Sequence, residues 1–232
     1  MSVTKRIVCL ANSRKLGGRC IAGKELAGKR IAGWVRPISA RPHEEVSEHE
    51  RQYEDGSDPR VMDIIDVPLL SARPNNYQTE NWLLDPNYYW EKQGRATWDQ
   101  LAQLAGPVGP LWTNGSSTYH GAHDRIELGT AATLTSSLRL VHLDRITLSV
   151  FAPGQAFGNP KRRVQARFQH DNTAYRFWVT DPIYERQYLA MPNDDYELAE
   201  SFLTVSIGEP ADDGYCYKLI AAIIERAKEA QT

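Results

Sequence analysis

Arginine recurs beside tryptophan at two places in this chain, and that pairing suits one kind of chemistry. In RIAGWVRPI, residues 30–38, the side chains of Arg30, Trp34 and Arg36 are an even number of positions apart. An extended backbone turns them to one face, opposite Ile31, Gly33 and Val35. Over 163–180 the same alternation sets Arg163, Gln165, Arg167, Arg176, Trp178 and Thr180 on one face, and Val164, Ala166, Phe168, Tyr175, Phe177 and Val179 on the other. A turn centred on Asp171-Asn172 places Arg167 directly across from Arg176, which disfavours folding unless water or an anion such as phosphate screens the pair. Guanidinium groups hold a phosphate backbone while indoles stack unpaired bases at about 1–3 kcal/mol each, the combination that single-stranded nucleic acid exploits. The competing reading makes Trp34 and Trp178 core residues and the arginines surface cation–π partners.

Charge is distributed in a way that fits either reading. Residues 1–41 hold ten bases, Arg14, Lys15 and Arg19 among them, against the single acid Glu25; residues 42–66 hold nine acids against Arg51 and Arg60. The two segments can neutralise each other as a solvated face, or form a basic groove beside an acidic loop, because a polyanion responds to local potential rather than to net charge.

Other constellations carry less. GRCIAGKE, residues 18–25, satisfies the G-x-x-x-x-G-K spacing but supplies Glu25 where a phosphate loop needs a hydroxyl, and Gly28 leaves no room for the helix whose amides complete the cradle. It reads as a glycine-punctuated hairpin. His120, His123 and Asp124, two histidines and a carboxylate, lie in a Gly/Ser-rich loop that does not define them as a metal-ligand set. Ser116 and Ser117 lie near those histidines but lack the elbow that presents a nucleophile. No metal, cofactor or catalytic residue is expected, and an enzyme is the less favoured class.

The elements that must carry these residues are mostly strands. Residues 7–11, 19–22, 31–38 and 62–70 are short β-branched or apolar runs set apart by turn residues, and strands return over 138–151, 163–169, 174–180 and 202–207. Between them, DPNYYWEKQG suggests a short helix capped by Asp85, and Thr97 with Gln100 makes a capping box for a helix over LAQLA. PLWTNGSSTYHGAHDRIE is a long loop or insertion. Asp181 before Pro182 reads as a turn or ion-pair residue. CYKLIAAIIERAKEA shows an apolar stripe of Leu219, Ile220, Ile223, Ile224 and Ala227, which predicts a C-terminal helix docked on the body.

A chain of 232 residues with 41% hydrophobic and 24% charged residues and a net charge of −2 has the balance of a folded soluble protein rather than a disordered one. No stretch approaches the roughly 18 apolar residues of a membrane span, and the run Ile7 to Ala11 is too short for a secretory signal. Three cysteines with no zinc spacing predict reduced, buried thiols and a cytoplasmic location.

KRIVCLANSRKLGGRCIAGKEL, GWVRPIS, VMDIIDVPLL, YQTENW, LWTNGSS, FLTVSIGEP and YKLIAAII together resemble the dual OB-containing domain family, bacterial proteins of largely unassigned function. The resemblance implies two OB-type barrels and brings no active site with it. An OB-fold is a five-stranded Greek-key barrel whose exposed strand face and loops grip oligonucleotides or oligosaccharides. The resulting expectation is a mainly β chain of two OB-like barrels, residues 1–135 with an insertion over about 75–133, and residues 136–232 with the C-terminal helix. The leading function is a non-enzymatic module for single-stranded DNA or RNA, weakly sequence-specific, using Arg14, Lys15, Arg19, Arg30, Trp34, Arg36, Arg163, Arg167, Arg176 and Trp178. A subunit that binds a partner protein or senses a small nucleotide is the alternative, and a metal-dependent hydrolase built on the 112–124 loop is a distant third.

Overall fold

The computed structural model describes residues 2–28 and 30–229, and of residues 30–32 and 229 the backbone alone. The chain divides into two compact units, Met1–Leu104 with Thr135–Ser137, and Ala105–Leu134 with Leu138–Thr232. Residues 105–134, which the sequence reading attached to the first unit, are therefore grouped with the second. Local bonds show why: the Gly106 amide donates to the Leu140 carbonyl at 3.3 Å and the Leu111 amide to the Tyr175 hydroxyl at 3.3 Å.

The first unit is a closed barrel. Its strands are β1 (Val3–Lys15), β2 (Gly18–Ala27), β3 (Arg30–Ile38), β4 (Asp63–Ala72) and β5 (Asn81–Leu84), with β6 (Glu91–Arg95) added on β4. They run β1-β2-β3-β5-β4, and a β4–β1 pairing closes the circle, so every pair is antiparallel except β3–β5. Inward positions such as Ile7, Ile21, Val35, Ile65, Val67, Leu69 and Trp90 fill it. Two short helices, α1 (Glu48–Arg51) and α2 (Trp98–Leu104), lie outside the strands. The Thr97–Gln100 capping box opens α2 as the spacing predicts, with the Gln100 amide donating to Thr97 Oγ1 at 3.3 Å and the Thr97 amide to Gln100 Oε1 at 2.8 Å. The G-x-x-x-x-G-K stretch lies in β2, and its glycines serve packing. A Cβ on Gly23 would stand 2.2 Å from the Val8 carbonyl oxygen, and one on Gly18 2.7 Å from that of Val46.

The second unit repeats the connectivity. After β7 (Arg125–Glu127) and α3 (Leu128–Ala131) come β8 (Leu138–Leu143), β9 (Ile146–Phe151), β10 (Arg163–His170), β11 (Thr173–Val179), α4 (Pro182–Leu189), β12 (Asp195–Leu198), β13 (Ser201–Pro210), β14 (Tyr215–Glu225) and α5 (Arg226–Glu229). The sheet runs β12-β9-β10-β11-β14-β13-β8, with β11–β14 parallel as β3–β5 is in the first unit. Residues 138–151 act as one long first strand broken at Asp144-Arg145: β8 pairs β13 at one end of the sheet while β9 pairs β10 toward the other. That break bends the sheet around a core that includes Val164, Ala166, Phe168, Tyr175, Phe177 and Val179, the inward face expected from alternation.

Three local expectations are corrected. Residues 215–225 form a strand rather than a helix, and only Arg226–Glu229 is helical. Lying between β11 and β13, β14 is buried on both faces through Ile220, Ala221, Ala222, Ile223 and Ile224, and such a continuous apolar run has no strand alternation to reveal it. Asp85 caps no helix. Its carboxylate accepts from the Asn87 amide at 3.1 Å in a local turn, after which Glu91–Arg95 pairs with β4. Asp181 in turn is a helix cap: its Oδ1 accepts from the amides of Ile183 at 2.9 Å and Tyr184 at 3.3 Å, with Pro182 in the first turn of α4.

Candidate functional site

On the outward face of β9, β10 and β11, residues of three strands line up in rows. The register pairs Thr147 with Arg167 and Arg167 with Arg176; Ser149 with Gln165 and Gln165 with Trp178; and Phe151 with Arg163. The hairpin turn sits on Asp171-Asn172, both with positive φ, so Arg167 and Arg176 face each other as the sequence reading has it. A cleft of about 410 Å³ opens on this face, lined by Phe151, Gln165, Arg167, Arg176, Asp194 and Asp195 together with Tyr119 and His120 from the preceding loop. A second cleft of about 490 Å³ shares Arg167 and Arg176 as lining.

Rings form a chain along one side. Tyr119, 94% exposed, meets His120 edge-on with centroids 4.8 Å apart; His120 lies 5.5 Å from Phe151; Phe151 lies 5.7 Å from Trp178. The Arg163 guanidinium covers the Trp178 ring at 4.0 Å, so this indole is half-buried by a cation rather than packed inward. The loop that brings Tyr119 and His120 is fastened to the strands. Gln165 Nε2 donates to the His120 carbonyl at 3.0 Å, and the Arg176 amide donates to the Ala122 carbonyl at 3.2 Å. Like charge at the Arg167–Arg176 rung is screened from within: Arg167 Nη2 donates to Asp195 Oδ2, and no carboxylate among the described residues pairs with Arg176.

The first unit treats its arginines differently. Arg36, expected on an exposed face, is 4% exposed and forms a buried ion pair with Glu80 at 3.2 Å, while its Nη2 also donates to Ser137 Oγ at 2.7 Å. Ser137 completes the triangle by donating its hydroxyl to Glu80. Alternation alone could not reveal this, because Glu80 is 44 residues away and arrives only when β5 pairs β3 in parallel. Arg36 is a structural cation. Trp34 is half-buried with Lys24 5.7 Å over its ring. Arg14 and Arg19 face each other across the β1–β2 hairpin, Lys15 lies at its tip, and the Arg30 side chain lies outside the described residues. Arg19 and Lys24 are an odd number of positions apart on β2, so alternation turns them to opposite faces. Arg19 is thus turned away from the face that Lys24 shares with Trp34.

Two units of matching strand order, each with one parallel pair, have a counterpart among known families. A model of the dual OB-containing domain matches residues 5–223. The chain belongs to that family. No curated protein and no solved structure matches it.

Within this dual OB-containing chain, YQTENW does structural work in the first unit and LWTNGSS in the second. YQTENW supplies Glu80, the partner of Arg36, and buries Tyr77, Gln78 and Asn81 beside it in sequence. LWTNGSS builds the loop below Tyr119. Asn114 accepts from the Tyr175 hydroxyl at 3.0 Å, Ser117 accepts from the His123 amide at 2.8 Å, and Ser116 accepts from Arg125 Nε at 3.0 Å. A serine nucleophile needs an imidazole against its hydroxyl, whereas these hydroxyls brace the loop. Asp124 ties the loop to itself by accepting from the Thr118 amide at 2.7 Å and hydroxyl at 2.6 Å, and Gly121 is required there because a Cβ would stand 2.0 Å from that carboxylate. Among the described residues no group of three or more His, Cys, Asp or Glu could hold a metal ion, and no helix is long and apolar enough to cross a membrane.

Lys218 anchors the same loop from below. Only 1% exposed, it donates from Nζ to the Thr113 carbonyl at 2.6 Å, while its amide donates to the Asp124 carbonyl at 2.8 Å. Burial pushes its amine down to about 7, against the opposing pull of Asp124. Of the cysteines, Cys9 and Cys216 are buried and Cys20 is half-buried; burial pushes the Cys9 thiol up to about 12 and keeps it protonated.

Sequence reasoning found Arg163, Arg167, Arg176 and Trp178 on one face. It missed Phe151, Tyr119 and His120 as their neighbours. Phe151 could have been found, since it has the same parity as Thr147 on a strand the sequence marks well; the loop's place against β10 and β11 had no local signal.

Proposed function

We propose that the outward face of β9, β10 and β11 binds single-stranded nucleic acid with little sequence preference. The observation that carries this reading is the run of rings Tyr119, His120, Phe151 and Trp178 beside the Arg167–Arg176 rung. Successive unpaired bases can stack on such a run whatever their identity, because every base has a π-face, and the arginines stand where the backbone would pass. Duplex DNA buries those base faces and gains only the phosphate contacts. The proposal concerns the second barrel; in the first, Arg36 is spent on Glu80.

Fluorescence anisotropy with labelled single-stranded DNA, single-stranded RNA and duplex, titrated between about 50 and 200 mM salt, tests it. Single strands are expected to bind more tightly than duplex, and log affinity to fall linearly with log salt as counterions are released. Absence of salt-sensitive binding below about 100 micromolar protein would overturn the proposal.

A further inference from the structure

Asp195 places a negative charge on the face proposed to receive a polyanion. Its position is built rather than incidental. β12 pairs antiparallel with β9 and sets Asp195 opposite Ser149, whose hydroxyl, on a residue only 7% exposed, donates to Asp195 Oδ1 at 2.7 Å. The other oxygen, Oδ2, accepts from Arg167 Nη2. The Ser149 hydrogen bond, reinforced by Arg167, holds this carboxyl below its usual range, so it stays ionised at neutral pH. Asp194 lines the same cleft but differs: its carboxylate accepts from the Asp195 amide at 2.8 Å. One of two adjacent carboxylates is thus held on an arginine fork and the other is turned to the backbone.

Resting on the nucleic-acid reading of this face, we infer that Asp195 is an internal stand-in for phosphate, occupying the Arg167 fork until a phosphodiester displaces it. Exchange of one charge-assisted hydrogen bond for another yields little net affinity, because both anions satisfy the same guanidinium. Phosphate therefore gains mainly at Arg176, and the remaining affinity has to come from bases stacking on His120, Phe151 and Trp178. Base-less polyanions such as polyphosphate lack that contribution. Asp195 thereby keeps them below the threshold of binding while stacked single strands pass it.

Asp195→Asn tests this, since the amide oxygen can still accept from Ser149 while the charge is gone. Anisotropy is measured at one salt concentration with labelled oligothymidine and with an abasic strand of equal length. Asp195→Asn should tighten both by about three- to tenfold, and Asp194→Asn by less than about twofold. The gain should vanish in an Arg167→Ala background, because no fork is then left to release. Ser149→Ala, which frees the carboxylate without changing charge, should tighten binding in the same direction by about twofold, and serves should Asp195→Asn fail to fold. If the wild type binds oligothymidine and Asp195→Asn matches Asp194→Asn or binds no tighter than wild type, Asp195 is only a strut and the inference falls alone. If neither wild type nor Asp195→Asn binds any strand, the nucleic-acid reading falls and takes the inference with it.

Discussion

Among the described residues each unit of this protein buries one strand cation, Arg36 in the first and Lys218 in the second, and the two solve the problem differently. In the first, Arg36 is met by Glu80 at 3.2 Å and by Ser137. In the second, Lys218 meets the Thr113 carbonyl, and its amine is driven down to about 7 by desolvation. The residue types explain the choice. A guanidinium cannot shed its proton, so burying it requires a carboxylate; an ammonium can be neutralised and then needs only an acceptor. The same contrast runs through the exposed arginines: a carboxylate delivered by a distant strand removes Arg36 from any surface, while Arg176 opposite Arg167 is left facing a cleft. A pattern of arginine beside tryptophan thus marks a strand face, and whether that face is available depends on which acid the fold brings to it.

The largest effect expected from this comparison is on stability of the first barrel. Arg36→Ala leaves Glu80 buried without its cation and should cost about 3–5 kcal/mol in chemical denaturation, leaving oligonucleotide affinity of the folded protein unchanged. A loss of affinity without a loss of stability would mean that Arg36 reaches ligand after all. Next comes the pH dependence of the second barrel. The Lys218 amine titrates near 7 when folded and near 10.5 when unfolded, so the unfolded chain binds more protons between these values and stability rises with pH across that window. Lys218→Met should flatten the melting profile between about pH 7 and 10 relative to wild type, and stabilise at neutral pH by about 2–4 kcal/mol. An unchanged profile would show that Lys218 stays charged. The smallest effect separates the two tryptophans. Trp178→Ala should weaken single-strand binding by about 1–3 kcal/mol, whereas Trp34→Ala, with Arg36 of the same strand held by Glu80, should change it by less than about 0.5 kcal/mol; equal losses would restore a site on both barrels.

Much of this is legible in the sequence. Alternation fixed the inward and outward sets of β10 and β11, and Asp171-Asn172 fixed their register, because a two-residue turn leaves one way to pair the flanking strands. The phosphate-loop spacing of residues 18–24 could be dismissed from Glu25 and Gly28 alone, and the glycines proved to be close-approach positions. Where the reading failed, the signal was ambiguous or distant. The run over 219–224 fits a helical stripe and a doubly buried strand equally well, and only the neighbours β11 and β13 choose between them. Asp181 carried a cap-and-proline signature that its sequence neighbours would have supported.

What the sequence determined by itself is local: which residues share a strand face and where the hairpin turns, while two OB-type barrels are what the family resemblance implied. The fate of each charge was decided by tertiary structure. Glu80 on Arg36, Asp195 on Arg167 and the 118–123 loop against β10 and β11 all join residues more than twenty-five positions apart. Electrostatic energy falls off with distance in space, not along the chain, so a cation's availability is fixed only once folding has set its neighbours around it.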